Sequence, residues 1–193
     1  MAETIIKKIR LPKEISISIQ EGNNVTLKGP KGELSRIFKT HRVKLSTEGN
    51  VITFTGFPDN KQTRIFIETI SAHIRNMTEG LIYGYAYKMK VVYSHFPMSI
   101  IVEKGVVNIK NFLGEKFPRK AKIVNNTKVE VKGQEIIVSG INKEEVGQTV
   151  SNLEHKSKVK NKDIRRYQDG LYLIEAGNMI PKTRASVIEI VRD

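Results

Sequence analysis

The side chains with chemistry to offer are concentrated in one stretch, HKSKVKNKDIRRYQDGLY, at residues 155–172. Residues 156–166 hold six cations, Lys156, Lys158, Lys160, Lys162, Arg165 and Arg166, against a single acid, Asp163. Tyr167 follows at once, and Asp169-Gly170 closes the tract with a turn signal. Cations spaced along a chain, paired arginines and an adjacent ring suit a phosphate backbone with exposed bases. The bland alternative is a solvated basic loop. A second cationic stretch begins at Lys110 and places Lys116, Arg119, Lys120 and Lys122 within residues 116–122, with no acid among them. Phe117 in its middle is either a ring that stacks on a base or a core residue.

Catalytic chemistry finds little support. His41, His73, His95 and His155 show no metal-ligand spacing, and no metal or cofactor site is expected. His95 adjoins Ser94, but neighbours along a strand point to opposite faces, which argues against a Ser–His pair. Glu144 and Glu145 are explained as negative charge opening a helix. An enzyme is therefore not expected. Gly29-Pro30-Lys31-Gly32 fits a G-x-x-G nucleic-acid clamp or, since it lies between strand-like segments, a plain hairpin turn. Lys28, Lys31 and Arg36 around it are candidates for a secondary contact under either reading.

The composition narrows the partner. The 193 residues are 39% apolar and carry a net charge of +13, more than solubility requires and most easily tolerated against a polyanion. The excess is distributed: residues 1–87 carry 13 cations and 8 acids, and residues 88–193 carry 20 and 12. Cysteine is absent, so disulfides, thiolate metal sites and cysteine nucleophiles are excluded together. No apolar run approaches signal-peptide or membrane-span length, which predicts a soluble cytoplasmic protein without a membrane partner.

The elements that must position these residues read as one pattern stated twice. Alternation at Ile15, Ile17 and Ile19, then Val25 and Leu27, then 43–45 and 51–54 about the turn Glu48-Gly49-Asn50, predicts strands. A helical stripe of Phe66, Ile70, Ile74 and Met77 follows, with Gly80 as its cap. The second half repeats strands at 100–102, 107–109, 129–131 and 136–138. It ends in a helix capped by Asn142, with Glu145 completing a capping box, an Ile141–Val146 staple, and Val146, Val150 and Leu153 buried. Val25, Lys28, Gly32 and Glu33 recur as Val107, Lys110, Gly114 and Glu115; Gly49, Ile52 and Gly56 recur as Gly133, Ile136 and Gly140. The expected fold is α+β, two similar tandem subdomains, each an antiparallel β-sheet with one α-helix on a face. The boundaries are 1–85, 86–175 and a tail at 176–193. Lysines at period two, 156 to 162, predict an extended strand with all four on one face.

YSHFP (93–97), NFLGEKFPRKAKI (111–123), EEVGQT (144–149) and KVKNKDIRRYQDGLYL (158–173), with KGPKGELSR (28–36), resemble the universal L-six family of large-subunit ribosomal proteins. The form is that of the archaeal and eukaryotic branch. The match runs in register from about residue 10 to 175. The resemblance implies a duplicated fold whose C-terminal subdomain binds large-subunit rRNA near the sarcin–ricin loop and stalk base, close to translational GTPases and beside neighbouring large-subunit proteins. The family's RNA-binding motif falls on Lys160, Lys162, Arg165, Arg166, Tyr167, Asp169, Gly170 and Tyr172. Tyr167 and His155 depart from the usual residues, and 176–193 matches no part of the pattern. The alternative is a free, non-ribosomal RNA-binding or RNA-chaperone protein.

Overall fold

A computed structural model describes residues 4–20, 23–179 and 189–191. It divides into two compact units, Met1–Tyr83 with Lys182–Asp193, and Gly84–Pro181, each with its own apolar core. In the first unit, β1 (Ile5–Arg10), β2 (Ser16–Gln20), β3 (Asn24–Gly29), β4 (Gly32–Ile37), β5 (Val43–Glu48) and β6 (Val51–Gly56) precede helix α1 (Lys61–Ile82). The second runs β7 (Tyr85–Val92), β8 (Ser99–Glu103), β9 (Val106–Lys110), β10 (Arg119–Lys122), β11 (Lys128–Lys132), β12 (Glu135–Gly140), helix α2 (Lys143–Lys156) and β13 (Gly170–Asn178). A short strand, β14 (Glu189–Val191), returns to pair with β1.

The α+β duplication is as expected, and the topology makes it explicit. Each unit has a three-stranded sheet, β2-β3-β4 or β10-β9-β8, and a four-stranded sheet, β14-β1-β6-β5 or β11-β12-β7-β13. The expectation of one sheet per subdomain is corrected to two, all antiparallel. The reason lies in the helix. The buried side of α1 includes Thr63, Ile67, Ile70, Ser71, Ile74, Met77, Thr78 and Leu81, a stripe wide enough to meet strands of both sheets.

The recurrent glycines acquire physical reasons. Gly49 and Gly133 take φ near +60° in the β5–β6 and β11–β12 turns, a conformation that costs a residue with a side chain. Gly56 and Gly140 are places of close approach. A Cβ on Gly56 would lie 2.6 Å from Thr63 Cγ2, and one on Gly140 would lie 2.9 Å from Val146 Cγ2. Both positions sit where a helix's first turns press on the end of the preceding strand.

Three local expectations are corrected. Phe66 is 42% exposed, and Ile67 takes its place in the buried stripe with Ile70, Ile74, Met77 and Leu81. The helix continues through Gly80 to Ile82, and the left-handed glycine beyond its end is Gly84, at φ +71°. In α2, Asn142 accepts from Glu144 N at 3.1 Å, but Glu145 does not close a capping box; it accepts from Asn125 Nδ2 at 2.9 Å. The stripe of Val146, Val150 and Leu153 is buried as expected. Finally, β13 carries the second unit's sheet through 176–178, and 189–191 form β14 of the first, so both pieces of the tail lie in sheets.

Candidate nucleic-acid interface

The basic tract leaves the C-terminus of α2 and ends where β13 begins. Lys156 is the last helical residue, so the four lysines do not share a strand. Residues 157–160 alternate, Ser157 buried and Val159 partly buried while Lys158 and Lys160 are exposed. The alternation then breaks at Asn161, whose φ of +56° turns the chain, and a hydrogen-bonded turn follows in which Tyr167 N donates to Asp163 O at 3.0 Å. The predicted extended ribbon is therefore a short extended piece and a turn. Period two alone did not reveal the kink. Lys162, Arg165 and Arg166 are exposed beyond it.

Folding brings the second basic stretch to the first. Lys120, His155, Lys156 and Lys160, with Arg119, line one cleft of about 300 Å³. Its two sides come from β10 and from the end of α2, which pack together. His155 joins the lysines here, although in the sequence it carried no signal beyond its place in the tract. Lys110 and Lys116 are exposed elsewhere on the same unit.

Arg119 is the tie between the two segments. Its Nε and Nη2 donate to Glu115 at 2.8 and 2.5 Å, and its Nη1 donates to the carbonyls of Lys156 and Lys158 at 2.9 and 3.0 Å. The guanidinium also lies 4.0 Å from the centre of the buried Phe112 ring. Four of the five N–H donors are thus used inside the protein. These hydrogen bonds, aided by the charges of Arg119 and Lys162, hold the Glu115 carboxyl below its ordinary range against a smaller effect of burial. The guanidinium serves here as a clasp on the end of α2.

The loop between β9 and β10 is the clearest difference between the repeats. The corresponding β3–β4 connection is the two-residue turn Pro30-Lys31, with Gly29 paired to Gly32, which settles the G-x-x-G segment as a hairpin. In its place the second unit has residues 111–118, with left-handed backbone at Asn111, Leu113 and Gly114. Asn111 Nδ2 donates to Pro97 O at 3.1 Å, and Phe112 is buried. A left-handed leucine persists only where surrounding packing holds it. The loop displays Phe117, 85% exposed, which rules out the core alternative for that ring.

Of the secondary candidates, Lys31 is drawn to the end of α1: its N–H donates to Leu81 O and its Nζ to Tyr83 O, at 3.2 and 2.7 Å. Lys28 pairs with Glu33 at 3.2 Å, and Arg36 lies over the Phe38 ring.

Tyr167 is fixed from several directions. Lys162 Nζ lies 4.7 Å from its centroid, and the His95 ring lies 5.8 Å away. His95 Nδ1 is 2.9 Å from Ser94 Oγ, so the expected absence of a Ser–His pair is corrected; 94–96 is a bend rather than a strand. The pair is nevertheless oriented against nucleophilic chemistry. Ser94 Oγ and N both donate to Asp169 Oδ1, at 2.8 and 3.1 Å, so the histidine must donate to the serine oxygen rather than take its proton. Asp169 is buried, and Tyr172 donates its hydroxyl to Gln168 O at 3.1 Å. Among the described residues no group of three or more His, Cys, Asp or Glu is placed to hold a metal ion. Among them, too, no helix is long and apolar enough to cross a membrane.

A duplicated α+β fold whose second unit gathers cations from two segments about one cleft defines a class of basic tandem-repeat proteins. The family model described as ribosomal protein L6 matches residues 11–84 and again 96–170, one match in each unit. The large ribosomal subunit protein uL6 of Methanobrevibacter smithii is 48% identical over 90% of this chain and 97% of its own length. The uL6 proteins of Methanosphaera stadtmanae and Methanothrix thermoacetophila are 45% and 42% identical, over 89% and 91% of this chain and 93% and 99% of their own lengths. The chain belongs to the ribosomal protein L6 family, in its archaeal branch.

Proposed function

We propose that this protein is a structural component of the large ribosomal subunit that binds large-subunit rRNA through its second unit. The observation that carries the reading is the convergence of Lys120, His155, Lys156 and Lys160 about one cleft, from segments far apart in sequence. Lys158, Lys162, Arg165 and Arg166 extend this surface along the tract, and Lys110 and Lys116 extend it along the β9–β10 loop. Phosphates would be gripped by the cations. Phe117, Tyr167 and Tyr172 offer rings to unstacked bases, so recognition follows RNA shape more than duplex sequence. Arg119 supports the site by holding its two segments together. Lys28, Lys31 and Arg36 are the secondary contact in this reading, with Lys31 constrained by its hold on α1. The family resemblance supports a position near the sarcin–ricin loop and stalk base, close to where translational GTPases dock, with other large-subunit proteins as neighbours. The relatives' names as large-subunit proteins support a ribosomal, cytoplasmic location.

Salt dependence tests the reading. If residues 156–166 neutralise ~5 phosphates, they contribute about −4 to the slope of log K against log salt for rRNA binding. Replacing Lys156, Lys158, Lys160 and Lys162 with alanine is expected to flatten that slope and to release the protein from large subunits at moderate salt. An unchanged slope would reject the site. Failure to sediment with large subunits while still binding RNA would favour the free RNA-binding alternative.

A further inference from the structure

A second cavity, also of about 300 Å³, opens within the basic tract itself, between residues 158–167 and the start of β13. Its walls are largely apolar. Val159, Ile164, Tyr167 and Tyr172 contribute to them, and Ile164 and Tyr172 are 70% and 48% exposed in the most cationic part of the chain. Nothing in the tract's hold on phosphate requires apolar surface there. The volume falls at the lower end of small-ligand sites.

The polar part of the wall includes Glu154, Ser157, Lys158 and Asp169, and Glu154 Oε1 accepts from Leu173 N at 3.2 Å. Ser157 is satisfied: its hydroxyl donates to Leu153 O at 3.0 Å and accepts from Leu171 N at 3.0 Å. Asp169 is not. Its Oδ1 is taken by Ser94, whereas Oδ2 is buried with no hydrogen-bond partner among the described residues. The unmet valence is a buried acceptor without a donor, which is costly to leave unpaired, and a donor from the cavity reaches it only where the wall gives way to uncover Oδ2. Gly170 keeps the cavity's inner edge tight, since a Cβ there would meet Ser157 O at 3.3 Å and the Tyr172 ring at 3.3 Å.

We propose that this cavity receives one unstacked nucleobase of the bound RNA, an inference that rests on the RNA-binding reading above. The base stacks on Tyr172, whose hydroxyl is occupied but whose ring remains open, and packs against Ile164 and Val159. An N–H of the base edge faces Asp169. Lys158 and Arg165, at either side of this stretch, hold the flanking phosphates. Charge and hydrogen bonding both favour this occupant over an apolar side chain of a protein. A side chain would fill the walls but would leave the carboxylate unpaired and the surrounding cations without counter-charge.

The test uses the full chain with large-subunit rRNA, ultraviolet crosslinking with mass spectrometry of the adduct, and equilibrium binding across a salt series. Wild type is expected to give a nucleotide adduct on Tyr172. Tyr172→Ala is expected to weaken binding about five- to a hundredfold, the range for loss of one stacked base, with the salt slope unchanged. Tyr172→Phe, which keeps the ring, should stay within about twofold of wild type under the same stacking argument. Ile164→Ala provides a variant at an exposed position, so a folding failure of Tyr172→Ala leaves the test intact, and it should lower the adduct yield. Wild-type affinity in both alanine variants and wild-type adduct yield in Ile164→Ala, while the lysine replacements still flatten the salt slope, would overturn the base pocket and leave the RNA-binding reading standing. An adduct to a peptide in whole subunits would overturn it in favour of a protein occupant. Absence of RNA binding by the wild-type chain would overturn both.

Discussion

Cations that share a surface do different work, and the geometry separates them. Lys120 and Lys160 point into a cleft with exposed side chains, whereas the Arg119 guanidinium is consumed by Glu115 and two carbonyls. Arg119→Lys keeps the charge and loses the fork. It is expected to destabilise the second unit by about 1–3 kcal/mol in urea denaturation, since several charge-assisted hydrogen bonds cannot be remade by an ammonium. Lys120→Ala is expected to leave stability within about 0.5 kcal/mol while weakening RNA binding. The clasp also carries a pH signature. Glu115 is held below its ordinary value of 4.5, so its contribution is complete above that pH and is lost only as pH falls through the lower, folded value. The Glu115 side chain is 42% exposed, so solvent screens the pair and the effect is small. Stability should thus be flat in this respect from neutrality to about pH 5, with any loss confined to more acid solution. A pH series comparing wild type with Glu115→Gln would show it.

At the scale of elements, the seating of each helix on its sheet depends on an absent side chain. Gly140 lies beneath Val146 as Gly56 lies beneath Thr63 and Ile67. Gly140→Ala is expected to cost about 1–3 kcal/mol, the usual price of overpacking, because Val146 is fully buried and has little room to withdraw. Thermal unfolding of this variant beside Gly147→Ala is the natural comparison, since a Cβ at Gly147 meets nothing within 4 Å. Gly147 lies inside α2, where replacing glycine with alanine is expected to be neutral or stabilising. The shift of α2 would also reach the interface, because Lys156 ends that helix and Arg119 grips its last carbonyls.

At the scale of the molecule, the two units place an edge strand in the same relation to their sheets but obtain it differently. β13 follows α2 directly and pairs with β7, while the matching place beside β1 is filled by β14, from the far end of the chain. A chain ending at residue 179 would leave Lys8, Ile9 and Arg10 without that neighbour. Hydrogen exchange is expected to quicken at the β1 amides in such a truncation and to stay unchanged in β7 and β12. Equal quickening in both units would contradict the assignment of 189–191 to the first. RNA binding should persist in the truncated chain, since the cleft and the basic tract belong wholly to the second unit.

The sequence alone determined the duplication, the α+β class and the identity of the basic segments. These are set by local periodicity, by turn glycines at matching offsets and by net charge, all of which are written along the chain. The buried stripe of α2 was legible for the same reason. Phe66 was misplaced because a stripe at period 3.6 can be drawn one residue off when Ile65, Phe66 and Ile67 are all apolar. The course of the tract was likewise hidden, because alternating lysines fit any locally extended piece and carry no sign of the left-handed turn at Asn161. Only tertiary structure decided that Arg119 and Lys120 share a cleft with His155, Lys156 and Lys160, and that Arg119 is the clasp of the two segments rather than another free charge. It also decided that Phe117 faces solvent and that Ser94, His95, Asp169 and Tyr167 form one chain of contacts. Each of these depends on segments tens of residues apart being packed to within a few ångströms, and no local pattern in the chain encodes that distance.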